Sequence, residues 1–223
     1  MDIYSNDSSI MGRKIGILIF VFLSGCLVER LLVFKSQLKS PIHYFDFQTK
    51  GIIICKDPVL EKEDIKLISG IEPSEDKKTI LNYHFIRPDA PNYSFSYKLL
   101  FKSGKLKKIH YPESFYKALK ASFALNSLLL FGEAKVPENN QWVLSNKKVS
   151  NLDTPLNVDI LQMLGPATIK SQFHNGEVLH YIYKQPTENG TKTIKVSFTF
   201  DNKVSKLSEI YLQLPDRNWR LVF

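Results

Sequence analysis

The chain has 223 residues, 30 Lys+Arg against 22 Asp+Glu for a formal charge of +8, and is 43% hydrophobic with 10 Gly and 11 Pro. That composition excludes a collagen, a coiled coil, a disulfide scaffold and a wholly disordered chain, while the length allows one large domain or two small ones. Two cysteines cannot staple a fold of this size, and the excess charge has to be judged by where it sits.

In chain order, Arg13 and Lys14 precede an apolar run, Ile15 to Leu23, that leads into Leu23-Ser24-Gly25-Cys26. A basic n-region, a short apolar core and small residues before a cut mark a secretory signal. The apolar stretch from Ile15 to Val28 is 14 residues, too short for a spanning helix, which takes about 20. Leu-Ser-Gly-Cys resembles the lipobox of bacterial lipoproteins. The resemblance implies a signal peptide over 1–25 and a diacylglycerol thioether on Cys26, which becomes the new N-terminus. It also implies a protein anchored in the membrane by that lipid. No aspartate stands at position 27 to imply inner-membrane retention, so the expected site is the periplasmic side of the outer membrane. The rival readings are an uncleaved signal anchor, or a cytosolic protein with an apolar N-terminal helix and a chance cysteine. Residues 1–10 carry two aspartates and are unlike an n-region, so Met11 is read as the initiator.

Residues 26–42 read as a lipid-anchored tether containing an amphipathic helix over Leu27 to Leu38. A hairpin follows from Tyr44 to Cys55, turning at Lys50-Gly51. Cys55 ends the apolar run Gly51-Ile-Ile-Ile-Cys and is expected to pack in the core as a small hydrophobe. An internal echo then organises the chain. Glu61 to Gly70 and Leu156 to Gly165 each read as a short amphipathic helix with an early acid and a glycine stop. Thr79–Phe85 answers Val178–Tyr183, and Tyr93–Phe101 answers Thr193–Phe200, as alternating aromatic strands. Lys105-Leu-Lys-Lys-Ile109 answers Lys206-Leu-Ser-Glu-Ile210. That last spacing breaks period-two alternation identically twice and predicts a bulge in both copies.

The expected class is therefore α+β. Two tandem units of short helix plus antiparallel three-stranded meander, 43–111 and 151–223, are joined by 112–150. The linker is expected to hold one long buried helix over Pro112 to Phe131 and a hairpin near Val136 to Trp142. The pattern of "ILQMLGPAT" before an aromatic strand and "KVSFTFDNKVSKLSEI" after it resembles the small α+β domain of SmpA/OmlA-type outer-membrane lipoproteins. The β-lactamase-inhibitor-protein superfamily shares that domain type. The resemblance covers 155–214 and, less closely, 58–110, and implies a role in envelope assembly or integrity.

No catalytic, cofactor-binding or metal-ligating set is read from the sequence. Its five histidines lack the helical His pairing of zinc sites. His174 and His180 flank a hairpin turn with only Glu177 as a third candidate ligand. Neither a nucleophile elbow nor a phosphate-cradling glycine loop is present. The acidic pairs Glu61/Asp64 and Glu75/Asp76 read as solvated. Charge is uneven: residues 26–150 carry net +7 and residues 151–223 net +1. Lys102, Lys105, Lys107 and Lys108 cluster beside His110 at one hairpin. They read as a contact for anionic lipid headgroups, glycan or an acidic partner, or else as lysines guarding a sheet edge against strand addition. The leading expectation is a non-enzymatic, lipid-anchored envelope protein that binds another envelope protein, with no nucleic-acid partner. The alternatives are a binder of a small lipid or glycan between the two units, favoured by an apolar pocket lined by Phe115, Phe123 or Trp142, and a hydrolase whose site is assembled only on folding.

Overall fold

The alternating apolar runs build two six-stranded sheets. A computed structural model describes residues 27–48, 51–119, 121–133, 141–145, 154–173, 176–201 and 205–223. The lipobox with Cys26, and His174, lie outside the described residues. The first sheet runs in the order β1 (Phe45–Gln48), β2 (Ile52–Cys55), β6 (Lys105–His110), β5 (Phe95–Lys102), β4 (Ile80–Phe85), β3 (Glu75–Lys77), antiparallel throughout. The second is β7 (Gln141–Ser145), β12 (Asn218–Val222), β11 (Leu207–Gln213), β10 (Gly190–Asp201), β9 (Gly176–Thr187), β8 (Ile169–Phe173). It is antiparallel except where β7 lies parallel to β12. Among the described residues six α-helices complete the α+β fold: α1 over 27–38, α2 (Pro41–Tyr44), α3 (Lys62–Ser69), α4 (Glu113–Ala118), α5 (Ala121–Gly132) and α6 (Asn157–Leu164).

Period-two burial explains the central strands. Leu81, Tyr83 and Phe85 are buried from β4, and Leu179, Tyr181 and Tyr183 from β9, with the alternate residues, Asn82, His84, His180 and Ile182, less buried on the other face. Each meander has four strands rather than the expected three. The additions, β3 and β8, are edge strands; β8 buries none of its five residues, so no apolar pattern marks it. The predicted irregularity is present twice: the ladders slip between Leu100 and Phe101 and between Thr199 and Phe200. α3 and α6 start with the same device, an N3 aspartate accepting from the N-cap amide. Asp64 takes Glu61 N–H at 2.8 Å and Asp159 takes Leu156 N–H at 2.8 Å. α3 stops at Gly70, whose left-handed φ of 64° suits glycine.

Three expectations are corrected. The helix foreseen over 112–131 is two helices, because Leu119 is extended (φ −104°, ψ 127°). No proline or glycine breaks it; tertiary packing does. Phe115 of α4 packs on Phe95 and Tyr97 of the first sheet, whereas Phe123 and Phe131 of α5 meet Phe223 and Trp219, at and just after β12 of the second. A straight helix could not serve both. The pair Glu61/Asp64 is not wholly solvated: Asp64 is fully buried and takes a two-pronged bond from Arg30 of α1 at 2.8 and 2.9 Å. Consequently α1 is not a free tether. Besides that clasp, Phe34 packs edge-on against Phe45, Leu38 is in the core, and Gln37 donates to the Asp57 carbonyl.

Cys55 is 5% exposed. Burial pushes its thiol up to about 11, against a small opposing pull from Lys107, as suits a core residue rather than a reactive one.

Candidate functional site, an apolar cavity between the sheets

Where the two sheets face each other they flank a partly open cavity of about 420 Å³, within the range of about 300–1,000 Å³ usual for small-molecule sites. Strand alternation supplies its walls. From the first sheet come Tyr83 and Phe85 of β4 and Phe95, Tyr97 and Leu99 of β5. The second gives Tyr183 of β9, Ile194, Val196 and Phe198 of β10, Ile210 and Leu212 of β11, and Leu221 of β12. Ile65 and Ser69 of α3 close one side, Met163 and Leu164 of α6 another, and Phe115 of α4 a third. No charged side chain lines it.

Polar chemistry enters the lining chiefly through tyrosine. Tyr83 and Tyr183 are 5% and 1% exposed, and neither hydroxyl closes a hydrogen bond of normal geometry. Burial pushes both phenols up to about 12, so both stay protonated donors. A buried hydroxyl left unpaired costs roughly 1–3 kcal/mol, a cost that a ligand acceptor in the cavity would remove. Phe85, Phe95, Tyr97, Phe115 and Tyr183 form one aromatic cluster at this end, edge-to-face except for the tilted Phe85–Phe95 pair; Phe95 and Tyr183 have ring centroids 5.1 Å apart across the sheets. Tyr97 and Phe115 also line a second hollow of about 280 Å³, walled further by Phe47, Ile53, Ile109 and Leu119.

Just beyond the cavity the sheets are stitched together. Ile86 and Lys184 exchange both backbone bonds at 2.8 Å. The next residue in each strand, Arg87 and Gln185, is fully buried. Arg87 donates to the carbonyls of Leu164 (3.1 Å) and Pro166 (2.9 Å) and, through Nε, to Asp89 at 2.9 Å. Its guanidinium stacks over Tyr181 and Tyr183 at 5.1 and 5.6 Å. That hydrogen bond holds the Asp89 carboxyl down at about 2. Gln185 reaches the opposite way, donating to the Glu72 carbonyl at 2.6 Å. Sequence reasoning missed Arg87 and Gln185, yet a signal was present: both continue the buried alternation of their strands, and both precede a proline, Pro88 and Pro186.

The sequence-derived surface residues are placed differently. The lysine hairpin is not at a sheet edge, since β6 lies between β2 and β5. Lys105 pairs with Glu61 at 2.7 Å and Lys107 donates to the Cys55 carbonyl at 3.0 Å. Lys102 and Lys108 are exposed and His110 half-buried. The structure brings Lys102 opposite Lys105 at the turn, while Lys108 and His110 pair further along with Leu100 and Lys98. His180 holds Ser197 at 2.8 Å and Ser171 at 3.3 Å, and His84 holds Ser96 at 2.7 Å; these are cross-strand partners. Glu177 accepts from Asn157. Phe115 lines the cavity, Phe123 packs on Phe223 instead, and the Trp142 side chain lies outside the described residues. Among the described residues no group of three or more His, Cys, Asp or Glu could hold a metal.

No family model matches the chain, and no curated protein or solved structure compared with it is a match.

Proposed function

We propose that the chain is a non-enzymatic, lipid-anchored protein of the bacterial envelope, on the periplasmic side of the outer membrane, that binds an apolar chain of the acyl-lipid class between its sheets. The observation that carries the reading is the inter-sheet cavity: about 420 Å³, lined by aliphatic and aromatic side chains with two unpaired tyrosine hydroxyls. An acyl chain with one acceptor suits that lining. A glycan does not, because its many hydroxyls would be buried without partners. The lipobox sequence supplies the address. The echoing segments support two related units: each meander follows a capped helix, each carries the same ladder slip, and the sheets meet through Ile86 and Lys184, each 98 positions from the other in equivalent strands.

A second reading, an envelope-protein partner, is favoured by β8. This edge strand is exposed along its whole length, with Ile169 and Phe173 at 54% and 46%, and an unpaired apolar edge is a template for strand addition.

The test is recovery of the full chain from membranes followed by lipid extraction and mass spectrometry, with Val196→Trp, which fills the cavity, beside it. One apolar molecule per protein, lost in the filled variant, is the expected result. An empty protein that gains no thermal stability from added fatty acid would refute the reading.

A further inference from the structure

We infer that the outward face of α1 is a membrane-contact surface that seats the whole body on the lipid leaflet in one orientation. The inference rests on the anchor reading but concerns different residues. α1 is described from residue 27, four residues after the apolar run Ile15 to Leu23 ends in the sequence. Whether that run is removed and Cys26 lipidated, or retained as a signal anchor, the membrane-inserted group lies within four residues in sequence of the first described residue of α1. Arg30 then fixes α1 to the buried Asp64 through two bonds, so α1 itself is held on the body.

On the side of α1 turned away from that clasp, Val28 is 54% exposed and Leu32 63%, while Val33, on the flank beside Arg30, is 41% exposed. Val28 and Leu32 stand four apart and share a face; Lys35 and Lys39 continue that stripe and are exposed. Leu67 of α3, 49% exposed, borders the same hollow as Leu27. At about 1.5 Å per residue, Leu32 lies roughly 9 Å along the axis from position 26, within reach of the headgroup and upper acyl region. The stripe thus runs from apolar at the anchored end to basic further out, as an interfacial helix requires: apolar groups below the headgroups and lysines among them. Glu29 lies at the border of the face and stays exposed. α3, which α1 clasps, is also a wall of the cavity through Ile65 and Ser69, so this seating turns that wall toward the leaflet.

The experiment places a thiol-reactive fluorophore at Val28→Cys, Leu32→Cys or Val33→Cys in the full, membrane-anchored chain. The protein is reconstituted in phosphatidylethanolamine–phosphatidylglycerol vesicles containing brominated acyl chains. Val158→Cys on α6, at 62% exposure, is the reference, and thermal unfolding confirms that each variant is folded. Several-fold stronger quenching at positions 28 and 32 than at 158 is expected. Quenching no greater than at 158, in protein that still sediments with the vesicles, overturns the seating and leaves the anchor standing. Failure to sediment overturns both.

Discussion

Tyr83 and Tyr183 concentrate the residue-scale argument, because among the described residues their hydroxyls and the Gln185 side-chain oxygen are the buried side-chain polar atoms left without a hydrogen bond, and the two hydroxyls belong to residues that line the cavity. Replacing either with phenylalanine should stabilise the unliganded protein by about 1 kcal/mol, since it removes the desolvation cost of an unpaired buried hydroxyl and breaks no bond. The same change should weaken binding of an acyl ligand that bears a carbonyl by about 1 kcal/mol. Urea denaturation and ligand titration separate the two effects; a large stability loss would show that the hydroxyls are satisfied within the protein. Asp89 makes a pH prediction. Its folded carboxyl is held near 2 by Arg87, below the ordinary value of about 3.9. The ionised form therefore stabilises the fold fully above about pH 4, and that contribution is lost as the pH falls toward about 2. Asp89→Asn should lose less stability across that window than the natural chain, measured by urea melts at each pH; equal losses would contradict it. At Cys55, the raised thiol predicts that a Cys26→Ser chain reacts with a thiol reagent at the rate of unfolding rather than at once.

At the scale of elements, the helix break at Leu119 and the clasp of α1 show most clearly what packing adds to local preference. The run from Pro112 to Phe131 has a helical pattern throughout, and nothing in it signals that its two ends serve different sheets. Phe115 is the consequence: α4 turns its ring into the aromatic cluster, where it lines both the 420 Å³ cavity and the neighbouring 280 Å³ hollow. Phe115→Ala should join the two spaces and shift the preferred ligand toward longer chains. A set of saturated fatty acids of rising length measures this, and an unchanged length profile would show that Phe115 is not the partition. Arg30→Ala should cost about 3 kcal/mol, because it leaves the buried Asp64 carboxylate without its ion-pair partner, with the Glu61 amide still donating to it. It should also free α1, seen as faster amide exchange over 27–38. Protection equal to that of the natural chain would mean that Phe34 and Leu38 suffice.

For the whole molecule, the strands that bury an alternating face were legible in the sequence: β4, β5, β9 and β10 lie where the aromatic alternation put them. So were the glycine stops and the paired ladder slips, which follow from short-range spacing. β3 and β8 were not, because an edge strand that buries nothing leaves no period. Phe115 was singled out as a cavity residue because it is a large apolar side chain in the linker. The tyrosine hydroxyls and Arg87 were not, because their roles depend on Leu164, Pro166 and a facing sheet far away in the chain. The net charge of +8 gave little guidance, since Lys105 and Lys107 are engaged by Glu61 and by a backbone carbonyl. What unites the molecule is the space between its sheets, and solution titration probes that space most directly. A fluorescent fatty acid should bind the delipidated full chain at one site per protein, be displaced by unlabelled fatty acid, and raise the unfolding temperature as its concentration rises. Val196→Trp should abolish all three responses while remaining folded. Saturable binding that survives unchanged in the filled variant, or no binding to the natural chain, would contradict the inter-sheet site.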